Sequence, residues 1–146
     1  MDVRIRTVKP SGQRYPTVGD WRGKTIKVSE MGDWRYELLV AVHELIEMRL
    51  CEERGVKEAD VTEFDVTHPD LVEPGDSPDA PYHKEHMFAT IVEKFLAAGL
   101  GVDWEAYELA VLEAVEKAGG TVVPMPPRGM VDLVGTDGRP LGLRAE

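Results

Sequence analysis

The sequence predicts a small α+β domain, and three observations carry that prediction. Two short N-terminal segments alternate apolar and β-branched residues with polar ones, three longer segments repeat their apolar residues at helical spacing, and 146 residues is the length of one ordinary domain. The expected arrangement is N-terminal strands, three main α-helices with a motif-bearing helix at the centre, and a small C-terminal β hairpin. Residues 1–120 form the core of this single domain and 121–146 a β tail.

Val3 to Val8 and Thr25 to Ser29 are the two strand segments. Pro10-Ser11-Gly12 and the stretch from Pro16 to Gly19 supply turn chemistry between them. Asp33 is a good N-cap and Gly55 sits where a helix ends in a left-handed residue, so the segment between them is one long helix. At 100° per residue, Leu38, Val42, Leu45 and Ile46 fall on one side, the expected core stripe. Tyr36, Val40, His43, Glu47 and Arg54 line the other. A helix of about two turns follows, with Asp60 and Glu63 in capping-box spacing, and ends before His68-Pro69. Pro69 to Pro81 has no periodicity and is expected to be an exposed loop, placed to close over a site.

Asp79 is the expected cap of the next helix, with Pro81 in its first turn and Phe88, Ile91, Val92, Phe95 and Leu96 as its apolar stripe up to Gly99. Asp103 caps a further helix with Trp104, Tyr107, Val111 and Val115 at helical spacing, ended by Gly119-Gly120. Beyond it, Thr121-Val122-Val123, Met130 to Val134 and the Thr136-Asp137-Gly138 turn suggest a hairpin.

Composition narrows the function classes. With 42% hydrophobic and 30% charged residues the chain is globular. Seventeen basic against 27 acidic residues give a net charge of −10, which repels a phosphate backbone and argues against a nucleic-acid partner. No apolar run approaches the roughly twenty residues needed to cross a bilayer, and Met1-Asp2 opens into polar sequence, so a cytoplasmic protein without a membrane partner is expected. The lone Cys51 offers neither a disulfide nor a CxxC pair. Nothing in the sequence fixes the oligomeric state.

The informative motif is His43-Glu44-x-x-Glu47. An imidazole and a carboxylate one helical turn apart share a face and can bind one divalent ion, while Glu44, rotated by about 100°, can act on a water beside it. The competing reading is a solvated face of an amphipathic helix. Against it, His43 is bordered by Leu39, Val40 and Leu50 rather than by charges. Tyr82-His83-Lys84-Glu85-His86 places two more imidazoles three residues apart at a helix start. His86 is the preferred third ligand and His83 a further candidate. Glu85 is a candidate hydrogen-bond acceptor behind a ligand, and His68 is a loop residue.

The strand Thr25 to Ser29 followed by the helix Tyr36-Glu37-Leu38-Leu39-Val40-Ala41-Val42-His43-Glu44-Leu45-Ile46-Glu47 resembles the core of small zincin metallopeptidases. The resemblance implies that His43 binds zinc and that Glu44 is the general base. The family's second histidine is Glu47 here, and a carboxylate suits manganese, iron or magnesium as well as zinc. Arg14-Tyr15-Pro16-Thr17-Val18-Gly19-Asp20-Trp21, the His43 helix and Ala80 to His86 together also resemble small proteins of phage and prophage type, a resemblance that implies no activity.

The leading expectation is therefore a metal-dependent hydrolase acting on a peptide or small-molecule substrate. An all-helical nucleotide pyrophosphohydrolase using magnesium and a non-catalytic metal-stabilised binding module are the alternatives.

Overall fold

The computed structural model describes residues 1–120. The hairpin expected in 121–146 lies outside the described residues. The fold is α+β: strands β1 (Arg4–Val8), β2 (Gly19–Arg22) and β3 (Thr25–Ser29) precede helices α1 (Trp34–Arg54), α2 (Glu58–Thr67), α3 (His83–Gly99) and α4 (Trp104–Lys117). An all-helical architecture is thereby ruled out.

The sheet runs in the order β1-β3-β2. β1 lies parallel to β3 with Ile5 opposite Ile26, and β2 lies antiparallel to it with Trp21 opposite Ile26. Gly23, at φ +58, supplies the left-handed residue of the tight turn into β3. β2 was not expected as a strand, because it begins at Gly19, the end of the Pro16 to Gly19 stretch that reads as turn chemistry. Asp20 is nevertheless buried, and Arg14 satisfies it with bonds of 2.6 and 3.0 Å from its Nε and an Nη.

Trp21, Ile26 and Val28 point to the same side of the sheet and are buried. They form a core with α1, where Leu39, Val40, Met48 and Cys51 are buried as well. Full burial of side chains such as Ile26 and Leu39, both at 0% exposure, contributes about 1.5–3 kcal/mol each. α1 has the expected ends: the Asp33 side chain accepts from Arg35 N at 2.9 Å, and Gly55 adopts φ +73.

Two helices turn inward a face rotated from the one their apolar periodicity suggests, although Leu45 of α1 and Leu96 of α3 still pack against the core. On α1, Leu38 is exposed and Val42, Leu45 and Ile46 are only half-buried, whereas Val40, His43 and Glu47 are buried. The reason is that α1 is sandwiched: the sheet and α3 both pack against it, and the side bearing His43 faces that interior. On α3, Phe88, Ile91 and Phe95 are exposed, while Glu85, His86, Ala89, Thr90, Glu93 and Ala97 are buried. The small Ala89 and Ala97 permit close approach to α1, and the polar residues among them are buried because they bond one another and α1.

α2 ends before His68-Pro69 as expected, with His68 Nδ1 against the Phe64 carbonyl at 2.7 Å. The 3₁₀ turn Pro74–Asp76 lies in the loop between α2 and α3 and packs on α3. α3 begins later than expected: Tyr82 occupies the N-cap position and Asp79 does not cap it. The Asp103 side chain caps α4 through Glu105 N at 3.0 Å.

Candidate metal centre

His43 and Glu47 project from the buried side of α1, one turn apart, and His86 projects toward them from the first turns of α3. His43 Nε2 lies 3.1 Å from Glu47 Oε2 and 3.1 Å from His86 Nδ1, and His86 Nδ1 lies 3.0 Å from the same Glu47 oxygen. Three donor atoms from two helices thus form a nearly equilateral triangle. All three residues are buried, and together they form a cluster that can hold a metal ion.

The outer atoms of the triad fix its protonation. His43 Nδ1 is 2.7 Å from Glu93 Oε1, and His86 Nε2 is 2.9 Å from Asp76 Oδ1. Each imidazole donates its outer N–H to a carboxylate, which assigns the tautomers and leaves the inner nitrogens as lone-pair donors. Glu47 Oε1 accepts from Trp21 Nε1 at 3.0 Å, and the Tyr107 hydroxyl donates to Glu93 Oε2. The remaining inner atoms, two nitrogens and Glu47 Oε2, therefore aim lone pairs at a common point. Such a set requires a cation between its members, either protons or a metal ion. A tetrahedral zinc ion holds nitrogen and oxygen ligands about 3.3 Å apart. The observed separations of 3.0–3.1 Å fall a few tenths of an ångström short of that, a small adjustment for side chains.

The electrostatics follow the same contacts. Burial disfavours a charged His86, but hydrogen bonds to Asp76 and Glu47 outweigh it and carry its pKa up to about 9. Burial likewise opposes charge on His43, yet Glu47 and Glu93 raise its pKa well above the ordinary value. For Glu47 burial acts upward, but the two imidazoles prevail and hold it down at about 2. Without a metal the cluster therefore holds protons on its imidazoles at neutral pH.

Glu44 sits on the rim of this arrangement. It is half-buried and lines a cavity of about 40 Å³ together with His43, Glu47 and His86, enough for a water or two. Burial, then the charge of Glu47, pushes its carboxyl well above the usual range. Gly19 of β2 makes room for it: a Cβ there would come within 2.9 Å of Glu44 Cγ and Oε1. Gly75 does the same for His86, since a Cβ would lie 2.3 Å from the ring Cγ and 2.5 Å from Nδ1.

A second polar cluster forms another wall of the cavity. Asp65 accepts from Tyr15 at 2.8 Å and from Tyr82 at 2.5 Å. Burial raises its pKa to about 6, with the two tyrosine hydrogen bonds pulling the other way.

The chain matches no protein-family model, no curated protein and no solved structure.

Of the residues singled out from sequence, the structure brings His43, Glu47 and His86 together and sets Glu44 beside them. His83 lies apart, with its Nδ1 against the Gly75 carbonyl at 2.8 Å, where it steadies the loop that packs on His86. Glu85 is buried and bound to Arg54 at 2.8 Å. Glu93, Asp76 and Trp21 were missed. Glu93 stands seven residues after His86 on the same helix face, a spacing that could have identified it. Asp76 lies in an aperiodic loop, and the role of Trp21 depends on a strand the sequence did not reveal.

Proposed function

We propose that the protein is a zincin-like metal-dependent hydrolase in which His43, Glu47 and His86 hold one divalent ion, zinc in the first instance. The observation that carries this reading is the convergence of three buried donor atoms, each imidazole backed by a carboxylate, beside a cavity lined by Glu44. Carboxylate–histidine pairs of this kind orient metal ligands and raise their basicity. A bound divalent ion would supply Lewis acidity, polarising the bond to be cleaved and acidifying a nearby water. Glu44 is positioned to take a proton from a water held in the cavity and deliver it to a leaving group. Glu93 and Asp76 hold the imidazoles in the tautomer that points lone pairs inward, and Trp21 fixes the second oxygen of Glu47.

An amide or peptide bond is the substrate class this zincin-like reading implies, and the cavity beside the triad is small, about 40 Å³, with Glu44 and Asp65 in its lining. Among the described residues no helix is long and apolar enough to cross a membrane.

The test is Glu44→Gln, assayed with metal content alongside turnover on peptide, amide and phosphoester panels. Metal content should persist while turnover falls by about a hundredfold or more. Full activity in that variant would remove Glu44 as the base. A protein that loses its fold with its metal, yet turns over none of these substrates, would instead support the metal-stabilised binding module.

A further inference from the structure

α3 has two faces with opposite tasks. One carries His86 and Glu93 inward. On the other, Lys84, Phe88, Ile91, Phe95 and Ala98 are all exposed and follow one another at intervals of four, three, four and three residues. That is the spacing of a two-helix seam. Phe88 is 49%, Ile91 62% and Phe95 84% exposed. With a phenylalanine presenting about 150–250 Å², these side chains leave roughly 400 Å² of apolar surface open, a patch of the size that marks interaction sites.

We propose that this seam is the interface of a homodimer, in which α3 pairs with α3 of a second copy in antiparallel orientation. The sequence of the seam is self-complementary under reversal. With Ile91 against Ile91 on the two-fold axis, Phe88 meets Phe95 of the other copy and Lys84 meets the small Ala98, over which its aliphatic stem can lie. A parallel pairing would instead set Lys84 against Lys84 and leave Phe88 and Phe95 stacked on themselves. The seam alone removes roughly 800 Å² from the two copies. With flanking Met87, 39% exposed, and the polar rim, the total approaches the 1,200 Å² or so of the smallest specific interfaces. An interface of this size is at the weak end of specific ones, so the dimer is expected to dissociate on dilution. Because the seam is on the far side of α3 from His86, pairing leaves the metal centre unobstructed.

Sedimentation equilibrium of the full chain between about 1 and 100 µM tests this. The wild type should approach twice the 16.2 kDa chain mass, and Ile91→Glu should remain at the single mass with an unchanged circular dichroism spectrum. Ala98→Glu separates the two orientations: beside Lys84 of the other copy it should tighten the dimer several-fold, whereas in a parallel pair it would weaken it. A monomer at all concentrations, with the face covered by residues 121–146 of its own chain, overturns the proposal. So does a dimer indifferent to Ile91→Glu, or one weakened by Ala98→Glu.

Discussion

Gly75→Ala is a one-carbon perturbation aimed at the metal centre from outside it. The added Cβ would stand 2.3 Å from His86 Cγ, 2.5 Å from Nδ1 and 2.8 Å from Cβ. Ordinary van der Waals contact begins near 3.4 Å, so the ring or the Pro74–Asp76 turn must move by about 1 Å. A shift of that size is several times the few tenths of an ångström that separate the donors from zinc geometry. If the ring moves, Nδ1 leaves its position 3.0 Å from Glu47 Oε2. If the turn moves, His86 loses Asp76, now 2.9 Å from Nε2. Either response disables or disorients one of three ligands, and zinc affinity should fall by about 10- to 100-fold at least, read by competition with a chromophoric chelator. Gly19→Ala is the matched control, because its Cβ would press on Val40 and Glu44 and not on a ligand. It should keep zinc affinity within a few-fold of wild type while lowering any hydrolytic rate. Unchanged zinc affinity in Gly75→Ala would refute the placement of His86 in the site.

Other expectations follow from the same contacts. Glu93→Gln replaces the acceptor of His43 Nδ1 and of the Tyr107 hydroxyl, and should weaken metal binding by about 10- to 100-fold in a calorimetric titration while the fold persists. In metal-free protein, His86 has a folded pKa raised from 6.5 to about 9, so its stabilisation is complete below pH 6.5 and lost as pH rises through 9. Glu47, lowered from 4.5 to about 2, contributes above pH 4.5 and loses that contribution as pH falls through 2. Thermal melts of metal-free protein should therefore peak between these limits and decline on both sides. A melting temperature that climbs from pH 7 to pH 9 would contradict the proton inventory. Because contacts with carboxylates raise the pKa values of both His43 and His86, zinc uptake at pH 7 should release protons, measured from the buffer dependence of the calorimetric heat.

The elements of the fold that carry strong local signals could be read from sequence. Asp33 and Gly55 bound α1, His68-Pro69 ends α2, Asp103 caps α4, and Thr25 to Ser29 is a strand with the predicted limits. The direction in which the helices face could not be read, and the reason is physical. Burying His43, Glu47, His86, Thr90 and Glu93 runs against hydrophobic periodicity, and it succeeds only because these groups satisfy one another across two helices. A reading that sends apolar residues inward assigns Phe88, Ile91 and Phe95 to the core and leaves the site on the surface. The motif residues were legible because ligand type and one-turn spacing are local properties. Asp76 and Trp21 reach the centre through a loop and an edge strand whose positions only the tertiary structure determines.

The central claim is that His43, Glu47 and His86 hold one ion jointly, and the metal content of the purified chain tests it most directly. Elemental analysis after dialysis against trace zinc should find about one ion per wild-type chain and well under a tenth of that in Glu47→Ala and His86→Ala. The expected loss follows because each variant leaves only two of the three donors now within 3.1 Å of one another. Equal zinc in wild type and both variants, or none in any of them, would contradict the account.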